Sequence, residues 1–206
     1  MIDGAPTTPH ESMDALALRH GTDKGSQRHD FARVYDGFLS EWRDRPVRVL
    51  ELGVYEGASL RMWRDYFPQG EIHGVDIKRQ AVEHAGERIH VHVGDQKDPE
   101  LLDRILAQSG PLDLVVDDGS HRYPEQRGSL MHLWPHVKAG GVYVMEDIHT
   151  SYLERWGMGY RAEESTVELL KDIIDDIHIL AHKQEPVLGS VRSMHFYFET
   201  CVICKC

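Results

Sequence analysis

The stretch Val47-Arg-Val-Leu-Glu-Leu-Gly-Val-Tyr-Glu-Gly57 joins a short apolar run to two glycines. The β-branched and apolar residues at its start are typical of a buried parallel strand. Gly53 and Gly57 end this strand, and residues 58–66 follow with helical character. Glycines at such a turn allow the backbone to approach a ligand closely, because no Cβ intervenes. The stretch therefore predicts a strand–turn–helix unit that binds a cofactor in an open α/β sheet.

The glycine spacing argues against a nicotinamide dinucleotide. Gly53 and Gly57 have three residues between them, whereas the nicotinamide fingerprint Gly-x-Gly-x-x-Gly needs a third glycine. An oxidoreductase of that kind is therefore disfavoured. A tight turn that holds no ligand is the other alternative to a cofactor site.

Length and charge bound the classes of partner. The 206 residues suffice for one domain with a full core, and the formal net charge of −11 disfavours nucleic acid and anionic membranes as partners. No apolar run approaches the roughly 18 residues of a membrane span, and the N-terminus lacks a basic, apolar-cored signal. We therefore expect a cytoplasmic protein. Cys201, Cys204 and Cys206 are odd in number and crowded at the end, so we expect strand residues there rather than disulfides or a zinc site.

Strands and helices alternate five times after residue 46. This alternation predicts an α/β fold with a doubly wound, mostly parallel seven-stranded sheet, closed by an antiparallel hairpin over residues 191–206. A turn is expected at residues 138–141, and the longest helix over residues 163–180. Residues 1–45 are expected to form an N-terminal helical segment with a loop that covers the cofactor. Residues 46–206 are expected to form the cofactor-binding core of what is overall a single domain.

Acidic residues stand at the ends of the predicted strands, where open α/β sheets bind their ligands. Acids are poor strand residues, so their repetition at one edge calls for a reason. Asp76, at the end of the second strand, suits a carboxylate that bridges ribose hydroxyls, and Asp95 is placed to accept from an adenine amine. Taken singly, each fits a helix-capping or solvated acid equally well. As a set after a glycine turn, they favour cofactor binding.

Three further acids point to a metal. Asp118, Glu146 and Asp147 follow the fourth and fifth strands, which should be neighbours about 4.8 Å apart. Like charges so close repel unless a proton or a cation compensates them. Three oxygen ligands favour Mg²⁺, with Mn²⁺ or Ca²⁺ as alternatives, over zinc. A helix cap at Asp118 beside exposed acids is the structural alternative.

Histidine and aromatic residues flank the same edge. His121 follows Asp118 by three residues, and an imidazole that titrates near pH 6.5 suits a general base. His149 is a candidate substrate contact. The loop over residues 148–162 is rich in aromatics and glycine, so it has the composition of an active-site lid, in which Tyr152 and Trp156 are further substrate candidates.

With these motifs placed, the chain resembles the metal-dependent, S-adenosylmethionine (SAM)-dependent sugar O-methyltransferases of macrolide antibiotic biosynthesis, of the mycinamicin and demethylmacrocin type. The resemblance covers nearly the whole chain from about residue 18. It is carried by His20-Gly-Thr-Asp-Lys24, Glu51 to Gly57, Asp117-Asp-Gly-Ser-His121, Glu146-Asp-Ile-His-Thr-Ser-Tyr152 and Ser193-Met-His-Phe-Tyr197.

The resemblance implies roles for these residues. It makes Asp118, Glu146 and Asp147 the Mg²⁺ ligands and His121 the general base, with Asp118 as its catalytic neighbour. The implied SAM site comprises Asp23, Lys24, Glu51, Gly53, Tyr55, Gly57, Ser59, Asp76, Asp95, Gln96 and Asp117. The macrolide enzymes carry an additional N-terminal domain, whereas about 45 residues precede the first strand here, so the catalytic machinery should transfer better than the substrate.

The implied reaction is Mg²⁺-dependent transfer of a methyl group from SAM to a hydroxyl of a sugar or sugar-like ring. The expected partner is a glycosylated or hydroxylated small-molecule natural product. A catechol-like phenol serves the same chelation chemistry and is the nearest alternative acceptor. A non-catalytic SAM-binding subunit is the alternative from another class. The sequence leaves open whether the chain forms a homo-oligomer.

Overall fold

The computed structural model describes residues 10–206, so the first nine residues of the predicted N-terminal segment lie outside it. Its strands are β1 (Arg48–Leu52), β2 (Glu71–Asp76), β3 (Ile89–Val93), β4 (Leu112–Asp117), β5 (Val137–Met145), β6 (Val191–Tyr197) and β7 (Thr200–Lys205). Its α-helices are α1 (Met13–His20), α2 (Phe31–Leu39), α3 (Ala58–Tyr66), α4 (Pro99–Ser109), α5 (Tyr123–Leu133), α6 (Thr166–Ile174) and α7 (Ile179–His182). Short 3₁₀ helices cover Ser40–Trp42, Arg79–His84, Trp134–His136, Ile148–Tyr152, Glu154–Trp156 and Asp175–His178.

The strands form one seven-stranded sheet in the order β3-β2-β1-β4-β5-β7-β6. Strands β1 to β5 run parallel, while β7 is antiparallel to β5 and pairs with β6 in the closing hairpin. The predicted fold class is therefore confirmed. The strand order reverses between β1 and β4, and ligands of open α/β sheets bind at such a switch point, beyond the carboxyl ends of the strands.

Two hydrophobic cores cover the two faces of the sheet. One contains Tyr35 of α2 and Trp63 of α3, and the other contains Leu102 of α4 and Leu130 of α5. Successive strand residues point to opposite faces, so neighbouring positions of β4 are divided between the two cores. This burial on both faces explains why the parallel strands are almost uninterrupted apolar runs.

Local sequence fixes the helix boundaries next to the site. The Ser12 side chain accepts a hydrogen bond from the Ala15 amide (3.2 Å), and Gly21 ends α1 in the left-handed conformation. Asp98 caps α4 in the same way, with Pro99 in its first turn. Both devices satisfy amides that lack partners within the helix.

Two boundaries differ from the sequence-based expectation. The turn expected at residues 138–141 belongs to β5, which starts at Val137 and takes a register shift against β4 between Leu112 and Leu114. The long helix expected over residues 163–180 is divided into α6, a 3₁₀ turn and α7. The division falls at Asp176, because its carboxylate accepts the amides of Val187 (2.9 Å), Leu188 (2.6 Å) and Gly189 (3.0 Å).

Over residues 10–206, no helix has the combined length and apolar character needed to cross a membrane.

Candidate active site

The register of the central strands brings the site together. Leu52 of β1 pairs with Asp117 of β4, which pairs with Met145 of β5. The next residues along the three strands, Gly53, Asp118 and Glu146, therefore emerge side by side at the carboxyl edge. Parallel pairing continues there, since the Asp118 amide donates to the Leu52 carbonyl (2.9 Å) and the Glu146 amide to the Asp117 carbonyl (3.0 Å).

A cavity of about 870 Å³ opens at this edge. The predicted residues that line it are Asp23, Gly53, Tyr55, Ser59, Asp76, Asp95, Gln96, Asp118, His121 and Asp147. It extends from the ends of β2 and β3 across the glycine turn to the end of β5, so the predicted cofactor side and the predicted metal side share one space. Predicted site residues outside its lining are Lys24, Glu51, Gly57, Asp117, Glu146, His149, Tyr152 and Trp156.

Gly53 is required by its surroundings. Its φ is +98°, and a Cβ there would lie 2.2 Å from the Asp118 carbonyl oxygen. The β1 turn and the β4 turn therefore meet backbone to backbone at the cavity floor, an approach that only glycine permits.

The acids on the cofactor side divide into lining and supporting groups. Asp76 accepts the amides of Val54 (3.0 Å) and Tyr55 (2.9 Å), so it also holds the glycine turn in place. Asp117 differs from its expected cofactor role. It is fully buried and accepts from Gln96 Nε2 (3.0 Å) and Ser129 Oγ (2.6 Å). These bonds make Asp117 a support beneath the cavity wall.

Lys24 is the main departure from expectation on the cofactor side. Its side chain is 1% exposed, and Nζ donates to Asp118 Oδ2 (2.5 Å) and to both Glu146 oxygens (2.8 Å each). Nζ also lies 3.4 Å from Glu51 Oε1. We call Lys24, Glu51, Asp118 and Glu146 the acid–lysine cluster. Helix α2 adds Tyr35, whose hydroxyl donates to Glu146 Oε1.

The acid–lysine cluster places one ammonium among three carboxylates. Burial alone would lower the pKa of Lys24, but Asp118, Glu146 and Glu51 raise it well above its usual value, so the ammonium stays charged. Burial raises the pKa of Glu51 to about 7, against the opposing charge of Lys24. Burial and the charge of Asp118 likewise raise the pKa of Glu146. The ammonium therefore offsets only part of the buried negative charge.

Asp118, His121 and Asp147 form a second arrangement, which we call the cation group. One ligand atom from each lies within 4.8 Å of the other two, a spacing that a shared metal ion can bridge. His121 Nε2 is 3.6 Å from Asp147 Oδ2. His121 Nδ1 and Asp147 Oδ1 are buried atoms with no hydrogen-bond partner in the described chain. Glu146, expected in this set, instead has its oxygens on Lys24 and Tyr35.

Two members of the cation group have left-handed backbone. The φ angles are +54° at His121 and +52° at Asp147. Such conformations cost free energy in residues other than glycine and concentrate at functional sites. Burial also raises the pKa of Asp147, and Asp118 adds to this while His121 opposes it. The strained backbone and the crowded carboxylates both fit a site for a divalent cation.

The predicted substrate contacts occupy the rim. Trp156 packs edge-on against His121, with ring centroids 5.8 Å apart. Tyr152 stacks on Tyr160 at 6.3 Å and is 47% exposed. His149 lies behind Asp147, with its Nδ1 3.6 Å from Asp147 Oδ1. The 3₁₀ turns that hold these residues therefore border the cation group.

Sequence reasoning missed several residues of the site. Tyr35 donates to Glu146 from α2, and no local sequence signal marks it as a partner of that carboxylate. Leu18, Gln27 and Arg28 line the cavity from the N-terminal side. Leu18 belongs to α1, whereas Gln27 and Arg28 reach the cavity because the segment between α1 and α2 folds over the sheet edge. Residue patterns within that segment do not reveal this fold.

Sequence comparison with known proteins identifies methyltransferases as relatives of this chain. A methyltransferase domain family matches residues 50–148. The chain is 41% identical, over 84% of its length, to 8-demethyl-8-(2-methoxy-alpha-L-rhamnosyl)-tetracenomycin-C 3'-O-methyltransferase of Streptomyces olivaceus, and the match covers 47% of that protein. It is 40% identical, again over 84% of its length, to mycinamicin VI 2''-O-methyltransferase of Micromonospora griseorubida, of which 45% is covered. The chain thus spans about half the length of the curated relatives that it matches.

Comparison with solved structures also identifies a methyltransferase. The MycE methyltransferase in complex with Mg, SAH and mycinamycin VI superimposes with a TM-score of 0.86 at 36% identity, covering 95% of this chain and 54% of MycE. The resemblance inferred from the sequence motifs is therefore confirmed. The chain belongs to the family of methyltransferases that includes the sugar O-methyltransferases of mycinamicin and demethylmacrocin.

Proposed function

We propose that this chain transfers a methyl group from SAM to a hydroxyl on a sugar or sugar-like ring of a natural product, in a reaction that requires a divalent cation. The observation that carries the proposal is the cation group, Asp118, His121 and Asp147, at one end of the cavity whose other end is lined by Asp76 and Asp95. A pure binding protein has no use for this arrangement.

The cofactor is proposed to lie along the β1 turn. Gly53 allows the protein backbone to approach the cofactor closely. Asp76 is assigned to the ribose hydroxyls of the cofactor and Asp95 to its adenine amine. The segment with Asp23 and Arg28 closes the cavity from above, which supports the division into a cofactor-covering segment over residues 1–45 and a core over residues 46–206. A relative in this family has been solved with SAH in place.

The cation is proposed to bind Asp118 and Asp147, with Mg²⁺ as the ion because carboxylate oxygens suit hard cations. Glu146 is the third ligand predicted from the sequence. It lies on the other side of the Lys24 ammonium, which bonds to both Asp118 and Glu146. Glu146 can therefore join the ligand set only when Lys24 leaves that position.

When bound, SAM supplies the electrophilic methyl group, and the cation acidifies and orients the acceptor hydroxyl. The chain supplies the base. His121, which lines the cavity, is assigned to accept the proton of the hydroxyl, and its Nε2 lies beside Asp147 Oδ2. The Asp147 carboxylate then stabilises the imidazolium, and Trp156 shields it from water on one side.

His121→Ala tests this assignment, with His178→Ala, at an exposed histidine, as the matched control. Formation of S-adenosylhomocysteine is followed with mycinamicin VI, other glycosylated macrolides and simple catechols as acceptors. We expect turnover to fall by about 10² to 10⁴ in His121→Ala, the usual contribution of a general base. Calorimetric SAM binding should be unchanged.

Full activity of His121→Ala would reject the base assignment. Failure of the wild-type chain to bind SAM would reject the proposal as a whole. Turnover of catechols but of no glycosylated acceptor would replace the sugar with a phenol while leaving the mechanism intact.

A further inference from the structure

A second set of ligand-type side chains lies behind the cation group. His29, Asp147 and Glu199 each place one ligand atom within 4.8 Å of the other two. His149 borders two of them, with its Nδ1 3.4 Å from Glu199 Oε1 and 3.6 Å from Asp147 Oδ1. We call these four residues the imidazole–carboxylate group. The methyl-transfer mechanism uses only Asp147 among them.

Three separate segments build this group. His29 precedes α2, Asp147 and His149 follow β5, and Glu199 stands in the turn between β6 and β7. The Ile148 amide donates to the Glu199 carbonyl (3.0 Å), which holds the hairpin turn against the end of β5. Residues this far apart in the chain meet here only through the fold.

Unsatisfied atoms point into the group. His149 Nδ1 and Asp147 Oδ1 are buried and have no hydrogen-bond partner in the described chain. Buried polar atoms are almost always paired, so two that face each other call for a missing partner. His149 and Asp147 keep 39% and 19% of their side-chain surfaces exposed, so the group lies close to the protein surface although these two donor atoms are buried.

The spacing of the donor atoms suits a metal ion. Four ligands at about 2.1 Å from a tetrahedral ion lie roughly 3.4 Å from one another. The separation is 3.0 Å between His29 Nδ1 and Glu199 Oε2. His149 Nδ1 lies 3.4 Å from the other Glu199 oxygen, Oε1, and 3.6 Å from Asp147 Oδ1. Two carboxylates also supply the two negative charges that a divalent ion neutralises.

We propose that His29, Asp147, His149 and Glu199 bind a second divalent cation, of the transition-metal class that includes Zn²⁺, Co²⁺ and Mn²⁺. Imidazole donors favour such ions over Mg²⁺, which prefers oxygen alone. Asp147 divides its oxygens between the sites, with Oδ2 towards His121 and Oδ1 towards His149. The second ion would hold Asp147 in its left-handed conformation and tie the N-terminal segment to the closing hairpin. The proposal shares Asp147 with the proposed function and needs no methyl transfer.

The competing explanation is a plain ion pair between His29 and Glu199. Co²⁺ distinguishes the two, since its visible spectrum reports imidazole ligation and its geometry. EDTA-treated protein is titrated with Co²⁺, followed by absorbance and calorimetry. The Asp118→Asn variant serves as the background, because it removes a ligand of the cation group and leaves the imidazole–carboxylate group complete.

One equivalent of Co²⁺ should bind in the Asp118→Asn background. Adding His29→Asn or Glu199→Gln should weaken that binding at least tenfold. His132→Asn is the matched control, because His132 also pairs with a carboxylate, Asp103, at 2.9 Å, and it should change nothing. Wild-type crystals soaked in Co²⁺ should give an anomalous peak between His149 and Glu199, a readout that does not depend on any variant folding.

No Co²⁺ binding in the Asp118→Asn background, or binding unaffected by both substitutions, would overturn the proposal. The same would follow from a soaked wild-type crystal with a peak only at Asp118. Loss of methyl transfer in Asp118→Asn with Co²⁺ still bound would leave both proposals standing. Methyl transfer by a chain that binds no Co²⁺ at this group would reject the second site alone.

Discussion

The Lys24 side chain carries the positive charge that offsets part of the buried negative charge at the site. Its buried ammonium is the partner of Glu51, Asp118 and Glu146. Removing one member of a buried ion pair leaves an uncompensated charge, at a cost of about 3–5 kcal/mol. We therefore expect Lys24→Met to lose about that much unfolding free energy, measured in urea.

A divalent ion should offset part of that loss, because it can take the place of the ammonium beside Asp118 and Glu146. Mg²⁺ is therefore expected to raise the Tm of Lys24→Met more than that of the wild type. Lys171→Met is the control, since Lys171 pairs with Glu168 and is 49% exposed. Exposed pairs contribute about 0–1 kcal/mol. An equal Mg²⁺ response in wild type and Lys24→Met would contradict the idea that the two cations compete.

Gly53 is the second residue on which the site depends. In Gly53→Ala, a Cβ would overlap the Asp118 carbonyl, and alanine would carry a φ of +98°. The backbone strain alone costs about 1–3 kcal/mol, and relief of the overlap would displace the turn that carries Asp118. We expect a destabilised protein with little SAM binding by calorimetry. Gly37→Ala, in open space within α2, should instead gain about 0.4–1 kcal/mol; equal behaviour of the two variants would refute the argument.

At the scale of secondary-structure elements, the break between α6 and α7 is the most informative feature. Asp176 is buried and accepts three backbone amides from residues 187–189, which favours a break after α6. Hydrogen bonds to a charged group contribute roughly 1.5–3 kcal/mol each. Asp176→Ala should therefore lower stability by at least about 2 kcal/mol and speed hydrogen exchange of the amides of residues 187–189. Asp175→Ala, at the exposed residue directly before Asp176, should neither lower stability nor speed this exchange. Amides of residues 187–189 that stay protected in Asp176→Ala would contradict the role given to the Asp176 carboxylate.

Elements with a strong local signal could be predicted from the sequence. Helix α3 matches its expected bounds, Ala58–Tyr66, because glycine precedes it and its apolar residues repeat with helical spacing. The break at Asp176 could not be predicted, because the amides that hold it lie 11–13 residues downstream. The start of β5 was missed for a similar reason, since Gly140 and Gly141 resemble a turn locally and only pairing with β4 extends the strand.

The same distinction applies to the site. That Asp118 and Asp147 meet follows from parallel strands that end on acids, a rule that sequence can apply. That Lys24 inserts between Asp118 and Glu146 depends on how the segment after α1 folds over the sheet, 94 and 122 residues away in the chain from these two partners. Contacts between residues so far apart in the chain cannot be inferred from local sequence patterns and are seen only in the three-dimensional structure.

At the scale of the whole molecule, the pH dependence of stability combines groups with opposite effects. Burial lowers the pKa of His73 to about 4, with His90 and His92 adding to the effect. The unfolded chain then binds a proton near pH 6.5 that the folded chain refuses, so stability is full above pH 6.5 and falls as the pH is lowered towards 4. Glu51 acts in reverse. Its raised pKa of about 7, against a usual 4.5, makes the folded chain lose stability as the pH rises through that range.

Because the two trends overlap, the profile of the wild type is their sum, and a difference between variants isolates one group. His73→Leu keeps an apolar side chain in the buried position and removes the titration. We expect the urea-derived unfolding free energy of this variant to fall less between pH 7 and pH 4.5 than that of the wild type. His178→Leu, at an exposed histidine, should follow the wild-type profile. Parallel profiles for wild type and His73→Leu would mean that the His73 imidazole accepts a proton equally well in the folded and unfolded chains, and that its contact with His92 at 3.2 Å does not keep it neutral.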